Sequence, residues 1–232
     1  MEFEAAAIKI IQRAHDVKSF RFKRPEGFDY KAGQFIFVTA EINGEKLRKP
    51  LTISSSPTQE GHIEFTKKLT GHDFSNALDA MEVGDTVFIE GPFGSMTFEG
   101  EYEKIALLSG GIGITPMVSI AKYCTDMQLD TKVTLISSAR CEEDCLFREE
   151  FEQMQDQNKN LKVVETLTRP DPGWIGCTGR ICDTMIIGQI PDYKERMFYL
   201  CGPPAMVQSM DSMLKELGVP KEQIKKEIFT EY

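Results

Sequence analysis

Residues 104–119 read KIALLSGGIGITPMVS, and the reading of this stretch decides the fold. Residues 105–108 are a short apolar run suited to a buried strand. Gly110, Gly111 and Gly113 follow at once, and Thr115 and Pro116 open a second apolar segment. Strand, glycine turn and helix together set backbone N–H groups and a helix N-terminus against a diphosphate. Glycine serves such a turn because a Cβ blocks the approach of backbone to phosphate oxygens. Pro116 suits a first helical turn, where its missing N–H costs nothing. From Gly111 the spacing is G-x-G-x-x-P, so the third glycine of the usual dinucleotide fingerprint is absent. A plain glycine-rich turn between strand and helix shares this pattern.

On either side of that stretch the chain has two characters. Residues 1–98 carry short β-rich runs at 6–11, 19–23, 34–41, 49–54, 62–69 and 86–90. Asn43-Gly44 is a hairpin signal between two of them. One helix is predicted over 74–81, with Asp73 as its cap. Strands at intervals of about ten residues with no long helix among them imply a closed barrel or a sandwich. From residue 99 the pattern alternates. Strands at 105–108, 132–137, 162–167 and 196–200 are separated by helices at 116–124, 147–157, 180–187 and 205–217. Alternation of this kind implies a doubly wound parallel sheet. The predicted organisation is therefore two domains, 1–98 and 99–232, meeting in the loop 97–102.

Composition narrows the function. The chain has 232 residues, 41% of them hydrophobic, enough for real cores. No apolar run approaches the ~18 residues of a membrane span. The opening MEFEAAAIKI carries two acids and no basic n-region, unlike a secretory signal. A cytoplasmic location is expected. A net charge of −9 opposes nucleic-acid binding. The six cysteines, at 124, 141, 145, 177, 182 and 201, are sparse for a disulfide scaffold and show no C-x2-C pair. Histidines at 15, 62 and 72 are too scattered for zinc, so no metal is expected.

A doubly wound domain binds its ligand at the carboxyl ends of the strands, where strand order reverses. Two features fall at such ends: the turn at 110–116, and Cys201-Gly202-Pro203-Pro204-Ala205-Met206. The second places the Cys201 thiol in the same crevice, or leaves it a buried cysteine at a strand end.

These residues, with three motifs upstream, resemble the ferredoxin–NADP reductase superfamily. Lys49-Pro50-Leu51-Thr52-Ile53-Ser54-Ser55 resembles its R-x-Y-S/T flavin signature. Gly71-His72-Asp73-Phe74-Ser75 resembles its flavin diphosphate turn, and Gly91-Pro92-Phe93-Gly94 its barrel-closing motif. The turn at 110–116 and the segment 201–206 resemble its two nicotinamide motifs. The resemblance implies an N-terminal antiparallel Greek-key β-barrel that holds FAD, followed by an α/β domain for NAD(P)H. It implies that Thr52 bonds flavin N5, flanked by Lys49, Pro50, Leu51 and Ser54, and that Gly71 and Ser75 hold the diphosphate, which favours FAD over FMN. It places Gly110, Gly111, Gly113, Thr115, Pro116, Gly202, Pro203 and Met206 at the nucleotide, with Cys201 beside the reacting atoms. Relatives end on an aromatic over the flavin with a carboxylate nearby. Here Glu227 and Phe229 fit an E-x-F pattern, and the terminal Tyr232 is the rival ring.

Two departures stand out. Lys49 replaces the signature arginine and cannot fork to a phosphate, while Arg48 has the wrong strand parity. Leu51 replaces the signature tyrosine, losing an aromatic pairing worth ~1 kcal/mol. At the tip of the second nucleotide-domain strand, Arg140 suits a 2′-phosphate whereas Glu142, Glu143 and Asp144 oppose one. The arginine tips the reading toward NADPH, and NADH stays open. The loop 174–180 lies near the nucleotide or is a plain turn. The implied activity is transfer of electrons from NAD(P)H through FAD to a redox protein acceptor. The alternatives are reduction of free flavin and a non-autonomous electron-transfer subunit of a larger complex. No cysteine follows Cys201, which argues against an appended iron–sulfur cluster. The basic pairs 48–49, 67–68 and 225–226 offer a landing area for an acidic partner, or are simply solvated.

Overall fold

The structure is a computed structural model and describes residues 1–42 and 44–229. Strands β1 (Glu2–Ala14), β2 (Val17–Lys23), β3 (Phe35–Ile42), β4 (Glu45–Thr52) and β5 (His62–Lys68) precede helix α1 (Asp73–Asp79) and strand β6 (Thr86–Phe93). They form one antiparallel sheet in the order β4-β3-β6-β1-β2-β5. An antiparallel bridge between Ile53 and Phe65 draws its two ends together into a barrel. Inward positions alternate along each strand, as in Ile36 and Val38. Phe20 and Phe22 both stack on Phe65 at 5.3 Å in the centre. Gly44 turns the β3–β4 hairpin at φ +83°, and its expected companion Asn43 lies outside the described residues.

The second half contains β7 (Lys104–Gly110), α2 (Ile114–Asp126), β8 (Lys132–Ala139), α3 (Arg148–Gln157), β9 (Leu161–Leu167), β10 (Cys177–Thr178), α4 (Asp183–Gln189), β11 (Met197–Gly202), α5 (Pro204–Glu216) and β12 (Ile224–Ile228). The sheet is parallel throughout, ordered β10-β9-β8-β7-β11-β12. Strand order therefore reverses between β7 and β11, and the two motifs quoted above stand at that point.

Three local expectations are corrected. Asp73 is the first helical residue rather than the cap; His72 holds the cap position and makes no side-chain bond there. The helix expected over 180–187 begins at Asp183, because the chain first pairs Cys177 and Thr178 with β9. The segment Ile224–Ile228, for which no element was expected, is the outer strand of the parallel sheet, paired with β11.

The halves share packing. Val17, Ala32, Met96 and Phe98 from the barrel side lie in one core with Ile105, Leu107 and Tyr199. Phe98 bridges to Ala32 while its ring meets Tyr123 and Tyr199 edge-on at 6.4 Å. The Tyr199 hydroxyl donates to the Thr97 carbonyl at 3.0 Å, and Ser119 Oγ donates to the Ser55 carbonyl at 2.7 Å. Arg13 of β1 pairs with both Glu64 and Glu150, with its guanidinium over the Phe147 ring.

The tightest approach is at the switch point. A Cβ on Gly113 would collide with the Cys201 carbonyl and lie 2.6 Å from the Gly202 nitrogen, both backbone atoms. Gly111, at φ +54°, faces open space. Chemical denaturation should show Gly113→Ala losing about 3 kcal/mol or more through overpacking. Gly111→Ala should lose only about 1 kcal/mol, the left-handed backbone cost. Equal losses would overturn the packing role of Gly113.

Candidate active site

A cavity of about 740 Å³ lies between the barrel and the switch point of the parallel sheet. Its barrel wall is the end of β4, where Lys49, Pro50, Leu51 and Thr52 all face it. Thr66 and Lys67 of β5 extend the wall toward α1, where Thr70, His72 and Ser75 contribute. The opposite wall is Ile112 and Thr115 from the glycine turn, with Glu227 and Phe229 from β12 and the residue just beyond it.

Thr52 is the informative residue. It is 5% exposed, and its Oγ1 has no hydrogen-bond partner among the described residues. A buried hydroxyl left unpaired costs roughly 1–3 kcal/mol. A ring nitrogen of a flavin in the cavity would supply the missing partner, so the residues present fit that group. Leu51 is nearly buried beside it. Arg48 shares a strand face with Pro50 and Thr52 but stays off the cavity, with its guanidinium on the Phe37 ring and its Nε on Glu90. Ser75 Oγ sits 3.1 Å from Thr70 Oγ1, and Gly71 is exposed at φ +75° off the wall.

Ser54 corrects its expectation. It is buried away from the cavity, its Oγ donating to the Glu64 carbonyl at 3.2 Å and lying 3.0 Å from Thr66 Oγ1. The chain leaves β4 after Thr52, so the parity that aims Thr52 no longer carries to Ser54.

At the nucleotide motifs, the glycines divide their work. A Cβ on Gly110 would strike the Met206 sulfur and approach its Cε to 2.9 Å, and Gly113 is closed by backbone. Gly110 thus fits the β7 turn against the start of α5 and Gly113 fits it against the end of β11, and Gly111 alone of the three presents open backbone. Thr115 Oγ1 donates to the Ile112 carbonyl at 3.0 Å, and Pro116 is buried in the first turn of α2. Pro203 precedes α5, and the Gly202 carbonyl accepts the Phe229 N–H at 3.3 Å.

Cys201 does not project into the crevice. It is fully buried among apolar side chains, off the cavity wall. Burial pushes its thiol well above the ordinary range, and Glu227 adds to the rise. Registered beside it are Ser109 on β7 and Glu227 on β12. Burial pushes the Glu227 carboxyl up to about 7. Ser109 was missed by sequence reasoning; it is fully buried, and its hydroxyl also lacks a partner among the described residues. Phe35 and Met96, also on the wall, lie outside every motif and carried no signal.

Phe229 is half-buried on the wall, and Tyr232 lies outside the described residues. Arg140 is exposed at the end of β8, off the cavity, and no acid pairs with it among the described residues. The acids that seemed to oppose it are turned elsewhere, Glu142 to Arg148 and Asp144 to the Cys141 thiol. The basic pairs are partly engaged as well. Lys68 bonds Asp16, Lys225 bonds Glu101, and Lys226 bonds Asp211.

Two family models match, an oxidoreductase FAD-binding domain over residues 5–98 and an oxidoreductase NAD-binding domain over 107–212. NADH-cytochrome b5 reductase 2 of Xenopus laevis is 30% identical over 242 residues, covering 90% of this chain and 82% of the relative. The chain belongs to the ferredoxin–NADP reductase superfamily. The glycine betaine monooxygenase reductase subunit of Chromohalobacter salexigens is 30% identical over 230 residues, and the chain spans 62% of that relative's length. The cytochrome b5 reductase domain of Ulva prolifera nitrate reductase superposes with a TM-score of 0.86 at 26% identity, covering 98% of this chain and 97% of that one. Both matching domains make FAD the cofactor of this superfamily member and a nicotinamide nucleotide its second ligand.

Thr52→Val removes the orphaned hydroxyl at nearly constant shape. The FAD-free protein should gain about 1 kcal/mol, while the stabilisation conferred by added FAD should shrink; both are read by thermal unfolding. A second measurement concerns Glu227. Its folded value, near 7, lies above the ordinary 4.5, so the stabilisation belongs to the neutral form. It is complete below pH 4.5 and is lost as pH rises through 7. Glu227→Gln should flatten the stability profile across that window.

Proposed function

We propose that the chain is an NAD(P)H-dependent flavoprotein reductase, with FAD on residues 1–98 and the nucleotide on 99–232, that delivers electrons to a protein acceptor. The observation that carries this reading is the shared cavity. An orphaned hydroxyl on the barrel wall faces a space whose other wall comes from the nucleotide domain. Bound FAD supplies the step between a two-electron donor and one-electron acceptors. Thr52 orients the ring through its hydroxyl, and Leu51 covers it from the barrel side. Phe229 is the side chain placed to cover the approach from the nucleotide side. Glu227 holds a proton near neutral pH on that wall, and Cys201 acts behind it as a positioning residue. Arg140, with no acid paired to it among the described residues, supports NADPH. The relative from Xenopus laevis bears an NADH name, which supports the other nucleotide. A cytoplasmic setting is part of this reading, supported by six free cysteines.

A second reading, a subunit active only within a larger complex, draws on the relative named as a reductase subunit. One experiment separates the two. The purified protein should be yellow and release about one FAD per chain, and NADPH or NADH should reduce that flavin and drive ferricyanide turnover. Bound flavin that neither nucleotide reduces would give the role to the subunit reading; absence of FAD would overturn both. In stopped flow, Cys201→Ser should slow flavin reduction without loss of flavin. Phe229→Ala should alter the flavin spectrum and weaken nucleotide binding.

A further inference from the structure

The loop 97–102 joins the barrel half to the nucleotide half, and a lysine from the far edge of the parallel sheet grips it. Lys225 stands on β12, the outermost strand, in register with Tyr199 on β11. Its ammonium donates to the Thr97 carbonyl at 2.9 Å, to Glu101 Oε1 at 3.2 Å and to the Tyr199 hydroxyl at 3.2 Å. An ammonium carries three N–H bonds, so each has an acceptor. The Tyr199 hydroxyl donates in turn to the Thr97 carbonyl at 3.0 Å, which occupies the second lone pair of that oxygen. The charge also lies over the Tyr102 and Tyr199 rings, 5.0 and 5.1 Å from their centroids, where the ring faces attract a cation.

We propose that Lys225 is a positioning residue for flavin reduction: it sets the gap between the two cavity walls, and with it the placement of Glu227 and Phe229 toward the flavin. The assignment rests on the reductase reading and deepens it by naming a residue outside the cavity that acts on its geometry. Place in the chain is the first argument. Gly94, Ser95 and Met96 lie on the cavity wall, and Thr97 is the next residue. Residues 226–229 lie on the opposite wall, and Lys225 is the residue before them. The bond from Lys225 to Thr97 therefore ties the end of one wall segment to the start of the other. Strand pairing is the second. Among the described strands β12 bonds β11 alone, so the sheet fixes it to the nucleotide half and leaves its distance from the barrel open. Burial is the third. A lysine ordinarily keeps its charge in water, whereas this side chain is 25% exposed with every N–H engaged, which makes it a brace. Transfer between bound reactants is sensitive to such a brace, because a misplacement of about 1 Å can cost ~100-fold in rate.

The test compares the wild type with Lys225→Met and Tyr199→Phe, each loaded with FAD. Both variants spare the fold, since the Thr97 carbonyl keeps one donor in each and Glu101 reaches water. In stopped flow with NADPH or NADH, Lys225→Met should lower the limiting rate of flavin reduction about tenfold or more and move the half-saturating nucleotide concentration little. Tyr199→Phe keeps the ring and removes one of the three acceptors, so it should slow reduction by a smaller factor. Hydrogen exchange of the same samples gives a readout apart from turnover. Amides of 94–98 and 225–229 should exchange about tenfold faster in Lys225→Met, and those of β7 and β8 at the wild-type rate. A wild-type reduction rate in flavin-bound Lys225→Met would overturn the assignment. So would exchange that quickens evenly over the whole chain, the mark of a merely stabilising contact. If Lys225→Met loses its flavin, Tyr199→Phe decides: slowed reduction upholds the brace, and a wild-type rate overturns it. A wild type whose bound flavin neither nucleotide reduces defeats the reductase reading, and the assignment falls with it.

Discussion

No side chain fits between residue 113 and the backbone of Cys201 and Gly202. That one steric condition presses the turn after β7 against the turn after β11, the two strands flanking the reversal of strand order. With the turns in contact, the ends of β7, β11 and β12 are in step, and Ser109, Cys201 and Glu227 form a row across them. Only the last of the three reaches the cavity. The row is thus graded from a fully buried hydroxyl and thiol to a half-buried carboxyl, and the environment of the carboxyl is set by what lies behind it. A glycine selected for closeness to backbone fixes the position of an acid two strands away.

The cavity belongs to neither half alone, so its shape depends on how firmly the halves are joined. Phe98 joins them within the core, while Tyr199 and Ser119 each donate to a carbonyl of the barrel half. Arg13 ties β1 to α3, and its partner Glu64 also receives Arg21 at 2.5 Å. Glu64 is buried, and a buried carboxylate keeps its charge only when paired and hydrogen-bonded. The cost of burying it is offset by two guanidinium groups and the Ser54 hydroxyl. Ser54 thereby serves the junction rather than the cofactor.

Both sheets, the switch point and the two-domain order were legible in the sequence because they rest on periodicity, on glycine turns and on motif spacing. Thr52 and Leu51 were marked by motif spacing and not by parity, which sends neighbouring side chains to opposite faces, yet both line the cavity at the end of β4. Legibility failed where an element stops or a pairing is remote. Ser54 follows the end of a strand. Cys177 and Thr178 become a strand only because Thr166 and Leu167 lie beside them. Cys201 kept its place at the strand end, but whether its thiol faced cavity or core depended on β12, whose pairing no local pattern announces. Arg140 shows the same limit in charge. Three acids follow it closely in sequence, yet none pairs with it among the described residues; Glu142 turns to Arg148 and Asp144 accepts from the Cys141 thiol.

The acid on the cavity wall shows how these constraints meet in chemistry. Glu227 occupies an inward position of an outer strand, between exposed Lys226 and exposed Ile228. Lys226 is held by Asp211, which keeps that cation off its neighbour's carboxyl. Burial is left as the force acting on Glu227, and it favours the neutral form. Were Lys226 free to turn inward, attraction would pull the carboxyl back toward its ordinary range and leave a fixed negative charge on the wall. The pair between Asp211 on α5 and Lys226 on β12 is exposed on the lysine side and contributes little to stability. Its consequence is electrostatic: with Lys226 engaged by Asp211, burial alone acts on the Glu227 carboxyl and raises it toward neutral pH.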